Sequence, residues 1–167
     1  MRLSAAPSDL RRRTEAHVDL FVGVVFDDER PFRGMVGQLS YRLAGRLDHL
    51  ALAGFVTGER GEASLLGGGK RLPFPRVLLV GAGALGSLDG AALREATAQV
   101  IDRSAKLLAR SLAVELPGRA YGATTIDTAL DAFFEQPWTD AGAFDEIVII
   151  DHEDRKVDER LVRTRRF

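Results

Sequence analysis

The hydrophobic positions of this chain alternate between short continuous runs and longer segments with a helical repeat. Residues 18–26 are apolar almost without interruption, which is typical of a strand covered on both faces of a sheet. The polar residues 27–31 follow, and the next segment predicts one amphipathic helix. Its apolar stripe is formed by Met35, Leu39, Leu43, Leu47 and Leu50.

The middle of the chain predicts a hairpin followed by a long helix. Residues 62–66 and 76–80 are short strand-like segments, and the glycines at 67–69 provide a turn between them. The helix is expected to run from about Asp89 to Arg110, because Asp89 is a typical N-cap residue. Its apolar face is predicted to contain Leu93, Ala96, Val100, Leu107 and Leu108.

The rest of the chain continues the alternation of strand and helix. Residues 111–116 predict a strand, a third helix follows around residues 126–134, and residues 144–150 predict the last strand. Residues 1–5 are expected to add an edge strand. This order predicts an α/β fold, a three-layer sandwich in which helices flank a mixed central sheet.

Length and composition limit the possible classes of protein. The 167 residues suit one domain, which we place at residues 1–155, with a charged C-terminal tail at residues 156–167. The net charge of −1 gives no electrostatic basis for binding nucleic acid. The chain has no cysteine, no apolar run long enough to span a membrane and no evident signal peptide. We therefore expect a cytoplasmic protein with neither a nucleic-acid nor a membrane partner.

Residue types that commonly perform catalysis show no convincing arrangement. The three histidines are scattered, no Gly-x-Ser-x-Gly elbow occurs, and we predict no catalytic residue, no metal site and no cofactor. His152 lies in an acidic segment, residues 151–154, which we interpret as an exposed charged turn rather than a metal site. Trp138 follows Pro137 in a predicted loop and is a candidate docking residue.

A glycine pattern after a predicted strand suggests a nicotinamide cofactor, but its context does not. Residues 81–86 read Gly-Ala-Gly-Ala-Leu-Gly, the fingerprint of dinucleotide-binding folds. In such folds the helix opens within the glycines and an acidic residue ends the next strand about 20 residues on. Here the helix is expected to open only at Asp89, and residues 106–110 are still helical. We interpret the glycines as a strand-to-helix loop, with an NAD-dependent oxidoreductase as a minor alternative.

The order of elements and several landmarks resemble the N-terminal domain of the M17 leucyl aminopeptidases. The landmarks are the strand at residues 19–26, the segment Gly-Glu-Arg-Gly-Glu-Ala at 58–63, and Arg-Val-Leu-Leu-Val-Gly-Ala-Gly at 76–83. The resemblance extends from about Asp19 to Asp151. It implies a macro-like fold without chemistry of its own, because the family's metals and catalytic residues belong to a C-terminal domain.

Two loops also look like the phosphate-binding loops of macro domains that bind ADP-ribose. The first contains Gly34 and Gly37, and the second contains Gly118, Arg119, Tyr121 and Gly122. The resemblance implies that each loop places backbone N–H groups beside a helix N-terminus, where a diphosphate is favourable. Two features depart from the pattern: the first loop lacks the glycine triplet, and residues 27–29 are three acids that would repel a diphosphate.

These observations leave three functional hypotheses. The leading one is a non-catalytic interaction or regulatory module that self-associates or docks a protein partner. The second is a macro-type binder of ADP-ribose or a related nucleotide through the two loops. The third is a fragment or relative of a metal-dependent leucyl aminopeptidase, so that an enzyme is less expected than a binding protein.

Overall fold

The computed structural model describes residues 1–12, 17–137 and 142–164 of the chain. In these residues the strands are β1 (Arg2–Pro7), β2 (Leu20–Val25), β3 (Ala63–Gly67), β4 (Arg76–Gly81), β5 (Ser111–Glu115) and β6 (Glu146–Asp151). The helices are α1 (Gly34–Arg42), α2 (Arg46–Leu52), α3 (Gly90–Lys106), α4 (Ile126–Phe134) and α5 (Asp154–Thr164). Trp138 and residues 165–167 lie outside the described residues.

The six strands form one mixed sheet in the order β1-β6-β5-β2-β4-β3. Five neighbouring strands are parallel, and only β3 is antiparallel, because the glycine turn after it returns the chain along β4 as a hairpin. The N-terminal strand is an edge strand, as the sequence predicts. The carboxyl ends of the five parallel strands meet at one edge of the sheet, where loops from separate parts of the chain come together.

Helices cover both faces of the sheet, which confirms the predicted three-layer α/β sandwich. One face carries α3, α4 and α5, and its core includes Val100, Leu130 and Leu161. The other carries α1 and α2, and its core includes Met35 and Leu47. The strands β2 and β5 are buried on both faces, which explains their continuous apolar sequences. Among the described residues, no helix is both long enough and apolar enough to cross a bilayer.

The prediction of one helix across residues 35–50 is wrong in one respect. The chain forms two helices, because Ala44 and Gly45 both adopt left-handed backbone conformations, with φ of 56° and 79°. Gly45 then serves as the N-cap of α2. The leucine stripe continues across this break, so the spacing of apolar residues does not reveal it.

Two further elements end differently from the prediction. Helix α3 begins after the N-cap Asp89 as predicted but ends at Lys106, and Leu108, assigned to its apolar face, is 83% exposed with a φ of 54°. The segment predicted as a charged tail contains most of α5. That helix buries Val157 and Leu161 against the sheet, so the boundary at residue 155 falls inside a packed helix.

Candidate functional site

The glycine fingerprint forms a loop between β4 and α3 and does not begin a helix. After β4 the chain makes a short 3-10 turn at Leu85–Ser87, and α3 begins only at Gly90, capped by the Asp89 side chain. In addition, β2 lies between β4 and β5, so the strand that follows in sequence is not the neighbour in the sheet. Both observations agree with the loop interpretation of residues 81–86.

The two predicted ligand loops lie side by side at the carboxyl edge of the sheet. Gly34 begins α1, and a Cβ added there would lie 2.6 Å from the Cβ of Ala120 in the second loop. The hydroxyl of Tyr121 accepts a hydrogen bond from the backbone N–H of Arg33, with an N···O distance of 3.4 Å. The fold therefore brings together the sequence segments that the resemblance singled out.

The N-terminus of α1 is already occupied by a carboxylate from the neighbouring strand. Glu115 is the last residue of β5, is only 7% exposed, and accepts the backbone N–H of Met35 with both oxygens at 3.2 Å. Gly34 permits this approach, because a Cβ there would lie 2.5 Å from Oε1 of Glu115. The glycine that begins the first loop thus has a structural explanation within the chain.

Burial and a like charge together change the acidity of this carboxyl group. The pKa of Glu115 is raised to about 7, chiefly by burial and also by the nearby Asp151, while the hydrogen bond from Met35 opposes the shift. In the described residues no basic side chain hydrogen-bonds to Glu115. Its charge is therefore balanced only by the N-terminus of a nine-residue helix.

The second loop uses most of its own hydrogen-bond donors. The backbone N–H groups of Tyr121, Gly122 and Ala123 donate to carbonyl oxygens inside the loop. Gly118 adopts a left-handed conformation with a φ of 76° and would place a Cβ 2.7 Å from Leu88. A tight turn that bonds to itself has fewer N–H groups left for a ligand, so the geometry favours a structural role for this loop.

Arg119, predicted to face a ligand, is committed to a buried ion pair. Its guanidinium donates to both oxygens of Asp151, at 2.7 and 2.9 Å, and to Glu153 at 3.1 Å. The Arg119 and Asp151 side chains are 7% and 1% exposed. Burial alone would raise the pKa of Asp151, but the hydrogen bonds from Arg119 hold it below its usual value. The side chain thus clamps the loop to the end of β6.

Tyr121 is half-buried between Phe26 and Arg33. Its ring meets Phe26 edge-on at 5.4 Å between centroids, and the guanidinium of Arg33 lies 5.7 Å from its centroid on the surface side. Burial raises the pKa of Tyr121, so its hydroxyl is neutral at physiological pH and acts as a hydrogen-bonding group.

A groove of about 870 Å³ opens beside the first loop. It lies between the segment after β1 and the start of α1, and Gly34 and Gly37 form part of its wall. Its rim carries Arg11, Arg33 and Arg42 against the single acid Asp9, so the groove favours a negatively charged or polar ligand.

Comparison with known proteins identifies the family. The sequence model described as "Cytosol aminopeptidase family, N-terminal domain" matches residues 22–136. The chain belongs to this family. A search of curated proteins found no match in sequence.

Solved structures agree with this assignment at the level of the fold. A mutant of tomato leucine aminopeptidase has 16% identity and a TM-score of 0.59 over 93% of this chain, which spans 34% of the tomato chain. A macrodomain of Trypanosoma brucei in complex with ADP-ribose has 20% identity and a TM-score of 0.72, with 96% and 68% of the two chains covered. A macrodomain of Mycobacterium tuberculosis, DarG, has 15% identity and a TM-score of 0.62, with 89% and 97% covered. The macro-like fold is thereby confirmed.

One acidic cluster in this aminopeptidase-type domain contains the residue types of a metal site, but its carboxylates are already paired with basic side chains. Ligand atoms of Asp151, His152 and Glu153 lie within 4.8 Å of one another. However, Arg119 binds both carboxylates, and Lys156 binds Glu153 as well. The cluster is therefore an ion-pair network around a guanidinium. The predicted exposed turn is found only at residues 152–153, because Asp151 ends β6 and is buried, and Asp154 begins α5.

Two features of the site were not predicted from the sequence. The first is the burial of Glu115 against α1. The sequence indicates it by a single acid in a mainly apolar strand, but the strand pattern does not show which helix Glu115 contacts. The exposure of two large apolar side chains at and just after the end of α2, Leu52 and Phe55, is the other, and we call these two residues the α2 patch. Its signal is the uncharged run at residues 50–55, which continues beyond the core-facing stripe.

Proposed function

We propose that this aminopeptidase-type domain is a non-catalytic interaction module that acts in the cytoplasm and docks a protein surface through the α2 patch. The observation that carries the proposal is the exposure of two large apolar side chains three residues apart. Leu52 is 80% exposed and Phe55 is 73% exposed, and residues 50–55 contain no charged side chain. Large exposed apolar side chains that lie close together in sequence favour a contact surface between proteins.

The use of polar groups in the predicted loops supports the same conclusion. Glu115 occupies the start of α1, and Arg119 is held by Asp151 and Glu153. A site for a phosphorylated ligand normally keeps its cations and N–H groups available. The cations and N–H groups that nucleotide binding would need are largely bonded within the chain. The apolar side chains of the α2 patch, in contrast, are exposed to solvent.

Sedimentation velocity over a concentration series tests the first form of docking, self-association. We expect the wild-type chain to associate, and the double variant Leu52→Ser, Phe55→Ser to remain a monomer because the apolar contact is lost. The control is Leu108→Asn, which removes an equally exposed but isolated leucine and tolerates its left-handed backbone. A wild-type monomer at every concentration rules out self-association.

The second form of docking is contact with the catalytic domain of a cytosol aminopeptidase, the kind of domain that accompanies this family. It is tested by calorimetry with that domain as the titrant. We expect saturable heat with the wild-type chain and binding roughly thirtyfold weaker, or weaker still, with the double variant, since each of the two side chains contributes about 1 kcal/mol or more when it becomes buried. Absence of both self-association and this binding contradicts the proposal.

A second candidate function is binding of ADP-ribose or a related nucleotide in the groove beside the first loop. The favouring observation is the groove itself, which lies at the carboxyl edge of the five parallel strands and carries three arginines. The macrodomain of Trypanosoma brucei, whose fold this chain shares, binds ADP-ribose. The role of the six predicted loop residues in such binding remains a prediction.

Calorimetry with ADP-ribose, with NAD and AMP as comparators, tests this candidate. We expect saturable binding that weakens about tenfold in Arg33→Ala, which removes a cation from the groove, and is unchanged in Arg71→Ala, an exposed arginine elsewhere. No heat from a folded sample at high ligand concentration rejects the nucleotide candidate. A substitution at Gly118 in the second loop, such as Gly118→Glu, would not be a clean test of binding. Its φ of 76° and the close approach of Leu88 mean that a side chain there would disturb the fold.

The third hypothesis, a part or relative of a metal-dependent aminopeptidase, follows from family membership. Because this chain spans about a third of tomato leucine aminopeptidase, that enzyme's activity is not transferred to it. The sequence of the encoding open reading frame tests the hypothesis. Continuation beyond Phe167 into a domain with metal-binding acids would support it.

A further inference from the structure

Strand β3 is the last strand on one side of the sheet, and among the described strands none pairs with its outer side. At its two ends, the backbones of Glu62 and Gly68 form hydrogen bonds of 2.8 Å with the β4 side. In an antiparallel pair every second residue faces the partner strand, so the even-numbered residues bond to β4. The N–H and C=O groups of Ala63, Leu65 and Gly67 therefore point outward, away from the sheet.

The outer side of β3 lacks the features that normally protect an exposed edge strand. Such strands usually carry charged residues, a proline or a bulge. Residues 63–69 contain no charged residue and no proline. The central Leu65 is 50% exposed, and the small Ala63 and Gly67 on either side of it are exposed as well. The backbone of β3 is thus accessible to another strand.

The outward groups of β3 are complementary to those of a second copy of the same strand. They are spaced symmetrically about Leu65, so an antiparallel register can place Leu65 opposite the Leu65 of a second copy. Ala63 then lies opposite Gly67 at both ends, and each opposed pair exchanges two backbone hydrogen bonds. A two-fold axis through Leu65 produces this register, and two-fold symmetry is the commonest symmetry of homodimers.

The exposed charges at the two ends of β3 have opposite signs. Glu59 precedes the strand, and Lys70 and Arg71 follow it, all three with exposed side chains. The cation next to Glu59, Arg60, forms an ion pair with Glu95 of α3 at 3.5 Å. Antiparallel pairing brings the start of β3 in one copy beside the end of β3 in the other. Acid and base therefore face each other at both ends of the contact.

The α2 patch lies on the same side of the molecule as β3. At the start of α2, Arg46 and residues 67–71 line a groove of about 360 Å³. Beyond the end of α2, the backbone N–H of Thr57 donates to the side chain of Glu62 at 2.8 Å. Helix α2 thus runs beside β3 in the opposite direction, with the α2 patch toward the start of the strand. In the antiparallel register, the α2 patch of one copy comes to the end of β3 that carries the groove in the other.

We propose that β3 is a dimerisation strand, to which a second copy of this chain adds in antiparallel register about Leu65. The two six-stranded sheets then form one continuous sheet. The α2 patch of each copy packs beside the groove of the other. The inference rests on the proposed function for the role of the α2 patch, and it deepens that function because it names the partner and the backbone contact that determines the register.

Sedimentation velocity of two variants at one position tests the backbone contact. Leu65→Pro removes an outward N–H without loss of a hydrogen bond to β4, and proline is tolerated at such edge positions. The matched control Leu65→Val keeps the N–H group and suits a strand. We expect the wild type and the control to dimerise and Leu65→Pro to dimerise about tenfold more weakly, because hydrogen bonds on both sides of the two-fold axis are lost. Equal dimerisation of all three overturns the proposal.

Amide hydrogen exchange of the wild type gives a second measurement, which does not require Leu65→Pro to fold. The amides of Ala63, Leu65 and Gly67 are expected to exchange about tenfold more slowly at high protein concentration than at low concentration. The amides of Ser64 and Leu66 face β4 and should be protected at both concentrations. Exchange of the three outward amides that does not change as the chain dimerises contradicts the proposal.

An exchange of charges tests the antiparallel direction. Glu59→Arg and Arg71→Glu each place like charges together across the contact, and each is expected to weaken the dimer several-fold. The double variant Glu59→Arg, Arg71→Glu should restore it, because opposite charges face each other again. A double variant that dimerises no better than the single variants contradicts this direction of pairing.

The outcomes distinguish this inference from the proposed function. A dimer that is lost in Leu52→Ser, Phe55→Ser but kept in Leu65→Pro supports docking through the α2 patch and rejects pairing through β3. A wild-type monomer at every concentration also rejects the β3 dimer. Saturable binding of an aminopeptidase catalytic domain by that monomer would still support the proposed function.

Discussion

The two edges of the sheet each contain a carboxylate that accepts hydrogen bonds from backbone N–H groups, yet the pKa values of the two carboxylates shift in opposite directions. At the amino edge, Asp19 accepts from Arg110 at 2.8 Å and Ser111 at 3.0 Å. At the carboxyl edge, Met35 is the one donor to Glu115 among the residues that the structure describes. Burial alone would raise the pKa of Asp19, but these hydrogen bonds and the nearby Arg76 hold it below its usual value. The pKa of Glu115 is raised to about 7.

The difference shows what makes a carboxylate a stabilising element of a fold. Asp19 is partly exposed, has two donors and lies near a cation, so its charged form is favoured. Glu115 is buried, has one donor and lies near another acid, so its charged form is disfavoured. Asp19 joins β2 to β5, whereas Glu115 is kept at a cost in stability at the edge where ligands of such sheets bind. A costly group at that edge suggests a functional constraint.

The largest expected effect comes from removal of the buried cation at the carboxyl edge. Arg119→Met leaves Asp151 buried without its partner, and we expect the unfolding free energy at pH 7 to fall by about 3–5 kcal/mol. Chemical denaturation measures this loss. The matched control is Arg110→Met, which breaks an exposed pair with Asp145 and should cost at most about 1 kcal/mol. Similar losses in both variants would contradict the structural role of the Arg119 clamp.

The next effect is the pH dependence that Glu115 imposes on stability. Its pKa is about 7 in the folded chain against 4.5 as the ordinary value, so the folded state binds the proton more tightly. The contribution is fully present below pH 4.5 and is lost as the pH rises through 7, a loss of about 3 kcal/mol. Denaturation at pH 5 and pH 8 measures it as the difference between wild type and Glu115→Gln. Parallel pH profiles of the two proteins would disprove it.

The smallest effect concerns Asp19 and has the opposite sign. Its lowered pKa means that its contribution is present above the unfolded value near 3.8 and is lost as the pH falls through the folded value. Asp19→Asn should cost about 1–2 kcal/mol at pH 7, because hydrogen bonds to a charged acceptor are replaced by weaker ones. The cost should shrink toward pH 3 in thermal or chemical unfolding. A variant as stable as wild type at pH 7 would remove the contrast between the two edges.

The fold was largely predictable because strands buried on both faces leave continuous apolar runs, and β2, β4 and β6 all show them. The break between α1 and α2 was not predictable, since it depends on the left-handed conformation of Ala44 and leaves the leucine spacing intact. The position of the two loops followed from their place after strands. The hydrogen bonds and ion pairs that these loops form within the chain could not be predicted. The pairing of Arg119 with Asp151, for example, joins residues that the order of strands in the sheet brings together.

The contrast between the two edges of the sheet depends most directly on the state of the Glu115 carboxyl group and its contact with Met35. A pH titration by NMR can follow the carboxyl carbon of Glu115 and the amide of Met35 in the same sample. We predict that both signals change with one midpoint near pH 7, because protonation weakens the hydrogen bond at the start of α1. A Glu115 midpoint at the ordinary value near 4.5, or a Met35 amide that does not change with it, would contradict the account.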